Sequence, residues 1–295
     1  MTSPALFPHP LENQLLFGES LEQMARIADQ SVDLILADLP YEVSRNAWDT
    51  IIPTEPMWEQ YERIIRPNGA ILLTATQPFS SVLVMSNPKM FKYEWIWQKT
   101  IGSGQLNAHK QPLRNHESVL VFYKKPPVYN PQMTEGKPYH AKRKATFEGP
   151  GYNAQRPSET KNEGTRLPKS VLTFSNPRIK GGHPTQKPLE LFRYLIRTYS
   201  NPNDLVLDNA IGSGTTAVAA LLEGRRFIGI DNSQKYFDMA SARIEQTKVE
   251  IKAAEEEAVK ASAVMDASED ADIRAAVSER WAEDWNSPED SAYDE

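Results

Sequence analysis

The sequence predicts an α/β fold, an open and mostly parallel sheet with helices on both faces. Three observations carry that prediction. The apolar run 32–37, VDLILA, stops at Asp38-Leu39-Pro40-Tyr41, as a buried strand entering a loop would. From there to residue 75 the pattern runs strand, helix, turn, strand. A second unit, over 205–231, runs strand, glycine-rich loop, helix, strand.

Taken in order, 21–28 suits a short helix before the first strand. Met57, Trp58, Tyr61, Ile64 and Ile65 have helical spacing over 54–65, and Arg66-Pro67-Asn68-Gly69 then breaks the chain before a strand at 70–75. Segments 91–99 and 117–123 are further strands. The polar stretch 100–115 between them reads as a loop. Over 124–180 the pattern weakens into a segment rich in Pro, Gly, Lys, Arg, Tyr and Asn, too long for a routine connection, so it is a functional insertion or partly disordered. Pro188 opens a helix to residue 199 with Leu189, Phe192, Leu195 and Ile196 inward. Strand 205–208 leads through Asn209–Thr216 into a helix over 217–223. Gly224 stops it, strand 226–230 ends at Asp231, and a helix over 234–246 closes the domain.

Composition narrows the chemistry. The 295 residues contain no cysteine, which excludes disulfides, thiolate zinc sites and any cysteine nucleophile. The five histidines show no ligand spacing, so no metal is expected. No window approaches the 18 or so apolar residues of a membrane span, and the first 18 residues lack the basic and apolar regions of a signal peptide, so a cytoplasmic protein is expected. The net charge of −6 is unevenly spread. From Ile251 onward 14 acidic residues face 4 basic ones, giving −10, and the remaining 29 basic and 25 acidic residues leave the first 250 residues at +4. A mildly basic body is compatible with a polyanionic partner, and the acidic tail reads as a solubilising extension.

Two motifs carry chemistry. Asp208, then Gly212-Ser213-Gly214-Thr215-Thr216 before a helix, is a place where backbone can approach a ligand closely. The loop offers no lysine to phosphates and has Ala217 where a third glycine would stand, so a nucleoside without pyrophosphate fits better than a nucleotide triphosphate. Asp231, ending the next strand, is placed to accept ribose hydroxyls. The plainer alternative is a tight turn and a helix cap. In the second motif, Asp38 can accept a hydrogen from an exocyclic base amine, whose lone pair is otherwise delocalised into the ring. Pro40 can fix the direction of a backbone carbonyl that accepts the other hydrogen, and Tyr41 can stack on an extruded base. Here the alternative is an Asp-Pro turn with a half-buried tyrosine.

Together these motifs resemble the amino-methylating DNA methyltransferases of the β arrangement, in which a D-P-P-Y motif precedes the cofactor-binding region. Asp38-Leu39-Pro40-Tyr41 matches the catalytic motif, His183-Pro184-Thr185-Gln186-Lys187-Pro188 the segment before the cofactor loop, Asp208–Thr216 the glycine-rich motif, and 227–231 the ribose-binding strand. Segments 71–83, 91–100 and 116–125 look much like phage and prophage members. Leu39 replaces the proline usual at the second position of D-P-P-Y, and Asp208-Asn209-Ala210 replaces D-P-F.

The resemblance implies a Rossmann-like sheet with permuted motif order. Its parts would be a catalytic half over 13–123, a target-recognition insertion over 124–180, a cofactor half over 181–246 and an acidic tail over 247–295. It implies S-adenosyl-L-methionine as methyl donor, with Asp38, Pro40 and Tyr41 catalytic. Asp38, Thr185, Lys187, Asp208, Gly212, Gly214, Thr215, Thr216, Asp231 and Asn232 would hold the cofactor. Double-stranded DNA would be the partner, with contacts from Asn107, His109, Lys110 and Arg114 in 100–115 and from Lys142, Arg143 and Lys144 in the insertion. A homodimer is common in that family, and members encoded by phages act in the host cytoplasm. A cognate restriction endonuclease is not legible. Asp38 favours adenine N6 over cytosine N4, where serine is usual. A binding protein that retains the fold without turnover, and methylation of RNA or of a protein amide, are the other readings.

Overall fold

The computed structural model describes residues 11–40, 52–145, 156–176 and 186–285, with side chains up to Lys260. Tyr41 and Thr185 lie outside the described residues. The chain divides into two compact units, Met1–Ile244 and Glu245–Glu295.

The first unit is built on an eight-stranded sheet. Its strands are β1 (Gln14–Phe17), β2 (Val32–Ala37), β3 (Ile65–Ala75), β4 (Phe91–Ser103), β5 (Arg114–Phe122), β10 (Val171–Phe174), β11 (Leu205–Asp208) and β12 (Arg226–Asp231). They lie in the order β1-β12-β11-β2-β3-β5-β4-β10. Only β5 runs antiparallel to its neighbours. The apolar run of β2 is explained by its central place, since side chains on both faces are buried. Ile35 and Ala37 join one core cluster and Leu34 and Leu36 the other.

The first cluster is covered by α1 (Ser20–Met24), α2 (Thr54–Ile64) and α3 (Phe79–Ser86), through Met24, Met57, Trp58, Tyr61, Phe79 and Leu83. The second is covered by α4 (Leu189–Tyr199), α5 (Thr215–Leu222) and the start of α6 (Gln234–Trp285), through Leu191, Phe192, Leu195, Ala217, Val218 and Ile244. The predicted fold class is therefore the observed one, with helices on both faces. Asp33 ties the two halves of the sheet together. Its carboxylate accepts Arg66 at 2.5 Å on β3 and the backbone N–H of Leu205 at 2.8 Å on β11.

Several elements differ from the expectation. β1 carries only four residues and gains its place by pairing with β12, which no local pattern announces. β3 begins at Ile65, because Arg66-Pro67-Asn68-Gly69 passes through a register shift against β2 instead of leaving the sheet. The supposed loop 100–115 is largely hairpin. β4 extends to Ser103 and β5 begins at Arg114, joined by a 3-10 turn at Gln105–Asn107. Both extensions are polar because they are exposed on both faces.

The insertion also has structure of its own. β6 (Thr134–Glu135) pairs with β9 (Thr165–Arg166), and β7 (Tyr139–Arg143) pairs with β8 (Ser158–Asn162), both antiparallel. β10, inside the span read as insertion, returns to the main sheet beside β4. The helix expected to close the domain at 246 continues as α6 to Trp285. Its second part, in the Glu245–Glu295 unit, is rich in alanine and glutamate, both strong helix formers. Among the described residues no helix is long and apolar enough to cross a membrane.

Candidate active site

Ligand sites in open parallel sheets lie at the carboxyl edge where neighbouring strands lead to opposite sides. Here that edge carries Asp208 at the end of β11, Asp231 at the end of β12, and Asp38 one residue past β2. Since β11 lies between β12 and β2, the glycine loop and the Asp38 motif are neighbours in space although 170 residues separate them in sequence.

Asp208 is buried. Its carboxylate accepts the Thr216 hydroxyl and, at 3.0 Å, the Ala210 N–H, so it holds the loop to the first turn of α5 from behind. Gly214 caps α5 at φ 81°, a conformation that L side chains rarely adopt, and a Cβ there would lie 3.0 Å from the Ala240 Cβ. Gly212 is also left-handed, at φ 51°, but its Cβ would meet nothing nearer than the Ala210 carbonyl at 3.9 Å. The two glycines thus have different reasons. Gly214 is required by packing, and Gly212 leaves one side of the loop backbone open.

Asp231 accepts the Gly212 N–H at 2.9 Å and the Ser233 N–H at 2.8 Å. These bonds fix the carboxylate, and each oxygen keeps lone-pair capacity. Thr215 and Thr216 are buried in the first turn of α5. The exposed Asn232 instead donates to Glu19 at 3.0 Å.

Burial pushes the Asp208 carboxyl up to about 7, with the like charges of Asp38 and Asp231 adding to the effect against the hydrogen bonds from Thr216 and Ala210. Burial raises Asp231 and Asp33 as well. The folded protein therefore keeps a proton on Asp208 that the unfolded chain has lost between about pH 4 and 7. That contribution to stability is complete below about pH 4 and is lost as pH rises through 7, on the order of 4 kcal/mol for a three-unit difference. Melting curves of the ligand-free protein should show Asp208→Asn removing part of a fall in Tm between pH 5.5 and 7.5. An equal slope in both proteins would refute the assignment.

A chain of charges crosses the same edge from strand to strand. Asp38 accepts the Thr74 hydroxyl of β3 on Oδ1 and the Lys187 ammonium on Oδ2, at 2.6 Å. Lys187 is 5% exposed and also lies 3.4 Å from Oε2 of Glu117 on β5, a contact without hydrogen-bond geometry. Oε1 of Glu117 is paired with Lys99 on β4. Strands β3, β5 and β4 thus each contribute one polar side chain, the residue after β2 contributes Asp38, and the segment before α4 contributes Lys187 between them. Sequence reasoning assigned Lys187 to the cofactor and missed Thr74, Glu117 and Lys99. Alignment of the strand registers at one edge is the only signal that could have joined them.

Both departures in the motifs have a structural reason. Leu39 is buried in the first core cluster, so the second position of the tetrapeptide faces packing and not chemistry. Asn209 accepts the Tyr61 hydroxyl at 2.5 Å and donates to Ser20 at 2.8 Å, linking α2 and α1 beneath the glycine loop. Pro40 follows, partly exposed.

Of the expected DNA contacts, Asn107, His109, Lys110 and Arg114 are exposed on the β4–β5 hairpin. Lys142, Arg143 and Lys144 are exposed on and beyond β7, with Lys142 3.5 Å from Glu159. Among the described residues no group of His, Asp and Glu could hold a metal ion.

Comparisons with known proteins agree with this geometry. A family model described as DNA methylase matches residues 32–242. Type II methyltransferase M1.MboII of Moraxella bovis is 30% identical over 251 residues, covering 76% of this chain and 93% of the relative. DNA adenine methyltransferase YhdJ of Escherichia coli K12 is 26% identical over 250 residues, covering 78% and 82%. Among solved structures, the M1.HpyAVI–SAM complex superposes with a TM-score of 0.53 at 23% identity, covering 78% of this chain and 98% of that one. The cytosine-N4-specific PvuII DNA methyltransferase does so with 0.55 at 17%, covering 79% and 86%. At these identities the structural likenesses speak for the fold alone, whereas the family match extends over most of the chain. With that match added to the paired motifs at one sheet edge, the chain belongs to the DNA methylase family.

Proposed function

We propose that the chain methylates adenine N6 at specific sites in double-stranded DNA, with S-adenosyl-L-methionine as methyl donor. The observation that carries this reading is Asp38, held by Thr74 and Lys187 at the edge it shares with the glycine loop. Gly212 leaves that loop open on one side and Asp231 stands fixed beside it, which fits a ribose-bearing ligand without pyrophosphate. When bound, the donor supplies a methyl group made electrophilic by its sulfonium.

The residues of the chain then orient the acceptor. Thr74 and Lys187 fix the plane of the Asp38 carboxylate, which accepts one hydrogen of the base amine. A backbone carbonyl held by Pro40 accepts the second, so that the nitrogen lone pair points toward the donor. Tyr41 is read as the stacking surface for the extruded base. Alignment supplies most of the acceleration, because direct transfer to nitrogen requires no covalent intermediate on the protein, and the proton that the methylated nitrogen must shed passes to Asp38 and from there to water. The insertion 124–180 is read as the segment that recognises the target, with Lys142, Arg143 and Lys144 toward phosphates and bases.

Transfer of labelled methyl to unmethylated duplex DNA, followed by nucleoside analysis, tests the assignment. N6-methyladenine supports it, and N4-methylcytosine overturns the base while keeping the chemistry. The glycines offer a separate test. Gly214→Ala should lower stability by about 2–3 kcal/mol, from left-handed strain and the Ala240 contact. Gly212→Ala should cost about 1 kcal/mol in stability but weaken donor binding at least as much. Calorimetry paired with donor titration separates the two, and equal effects of both variants on binding would contradict the division of roles.

A further inference from the structure

We propose that Leu106, at the tip of the β4–β5 hairpin, is a wedge that enters the DNA base stack beside the target and occupies the space the extruded base leaves. This rests on the reading of the chain as a methylase of duplex DNA.

The position of the hairpin is the first argument. β4 runs parallel to β10 and antiparallel to β5, so it ends at the same sheet edge as β2, β3 and β11. The last pair between β5 and β3 is Ala75 with Ser118, whereas β4 and β5 continue to Ser103 with Arg114. The paired strands of the hairpin therefore run beyond the carboxyl edge by roughly 13 Å, from Ser118 to Arg114 at about 3.3 Å per residue. Its base is joined to the site, since Lys99 on β4 pairs with Glu117 on β5, and Glu117 contacts the Lys187 that holds Asp38.

The build of the tip is the second. Gly104, at φ 96°, starts the turn, the Asn107 N–H bonds to the Gly104 carbonyl at 2.9 Å, and the Lys110 N–H bonds to the Asn107 carbonyl at 2.8 Å. The Gln105 side chain donates to the Gly102 carbonyl at 2.7 Å. This braced turn presents Leu106 with 102% relative exposure, the highest among the exposed large hydrophobic residues described, with Ile101 and Leu113 also exposed nearby. A leucine held out in water gains only when an apolar surface covers it.

Charge indicates which surface. From Thr100 to His116 there is no acidic residue, while His109, Lys110, Arg114 and His116 are all present and exposed. A partner with an apolar interior between rows of anions matches that pattern, and the base stack between phosphate backbones has that character. Apolar side chains inserted between base steps are an established way to hold a duplex open. The step is non-covalent and requires no co-reactant.

The test uses the full chain and a duplex carrying a site mapped from DNA that the parent has methylated. Leu106→Ala, in a side chain fully exposed among the described residues, should leave the melting temperature and donor binding unchanged. It should lower kcat/KM on the fully paired duplex about tenfold or more. On the same duplex with a mismatch opposite the target, where extrusion costs least, parent and variant should agree within about twofold. Equal rates on paired DNA overturn the wedge, and so does an equal loss on paired and mismatched DNA, which would make Leu106 a simple contact. A change of oligomeric state in the variant, measured by sedimentation, would assign the tip to a second copy of the chain and overturn it as well. A parent that methylates no DNA, paired or mismatched, removes the underlying reading and the wedge with it, a result distinct from any failure of the variant.

Discussion

Asp38→Asn is expected to lower the methyl-transfer rate about a thousandfold or more, a loss larger than any it causes in donor affinity. The side chain stays similar in shape, but the amide presents one acceptor where the carboxylate presented two, and its NH2 group faces the Lys187 ammonium. Effects of this size are ordinary for groups that act on the transferring centre. Stability must be followed in parallel. Lys187 is nearly fully buried and loses its closest anion, and breaking such a pair costs about 3–5 kcal/mol. Glu117 remains 3.4 Å away and should reduce that cost. Rates per folded molecule, with donor affinity from calorimetric titration, separate chemistry from folding. A variant that turns over within tenfold of the parent would remove Asp38 from the mechanism.

Glu117→Gln has the next largest expected effect, and it acts through Lys187 and not on the substrate. The neutral amide removes the Glu117 charge from beside Lys187 and from its pair with Lys99, so the ammonium that holds the carboxylate of Asp38 is less firmly placed. A misplacement of about 1 Å in an aligned transfer costs about a hundredfold. The loss should fall on kcat, with KM for DNA and donor affinity changed by less than about threefold, and Glu117→Asp should recover part of it. A loss confined to KM would make Glu117 part of a binding surface, and a loss of all parameters together with a large fall in Tm would make it structural. Single-turnover rates in the three proteins decide among these.

The motifs and the apolar strands were legible because each depends on local residues. Asp38-Leu39-Pro40-Tyr41 and Asp208–Thr216 each stand at the end of a strand that is itself an apolar run, so strand, loop and chemistry could be read together. The positioning residues were not legible for a related reason. Thr74, Glu117 and Lys99 sit in three different strands, and their meeting is set by the registers of β3, β5 and β4. A polar residue near the end of a strand looks the same in sequence whether it faces water or a buried ammonium. The same limit explains β1 and β10, short edge strands that form because β12 and β4 offer them unpaired backbone. It also explains the hairpin at 100–115, where polarity reflects exposure on two faces and not the absence of strand. Tyr41 and Thr185, expected at the site, lie outside the described residues.

The adjacency of β11 and β2 has a practical consequence. Neither the first 123 residues nor the stretch from 181 to 246 contains a complete site, since one holds Asp38 and the other the glycine loop. Cleaving the backbone between β7 and β8 would yield two fragments, each with a bare apolar strand edge where β11 had met β2, and neither able to transfer a methyl group alone. Fused to two proteins that associate, such fragments would write their encounter into DNA as a permanent chemical mark.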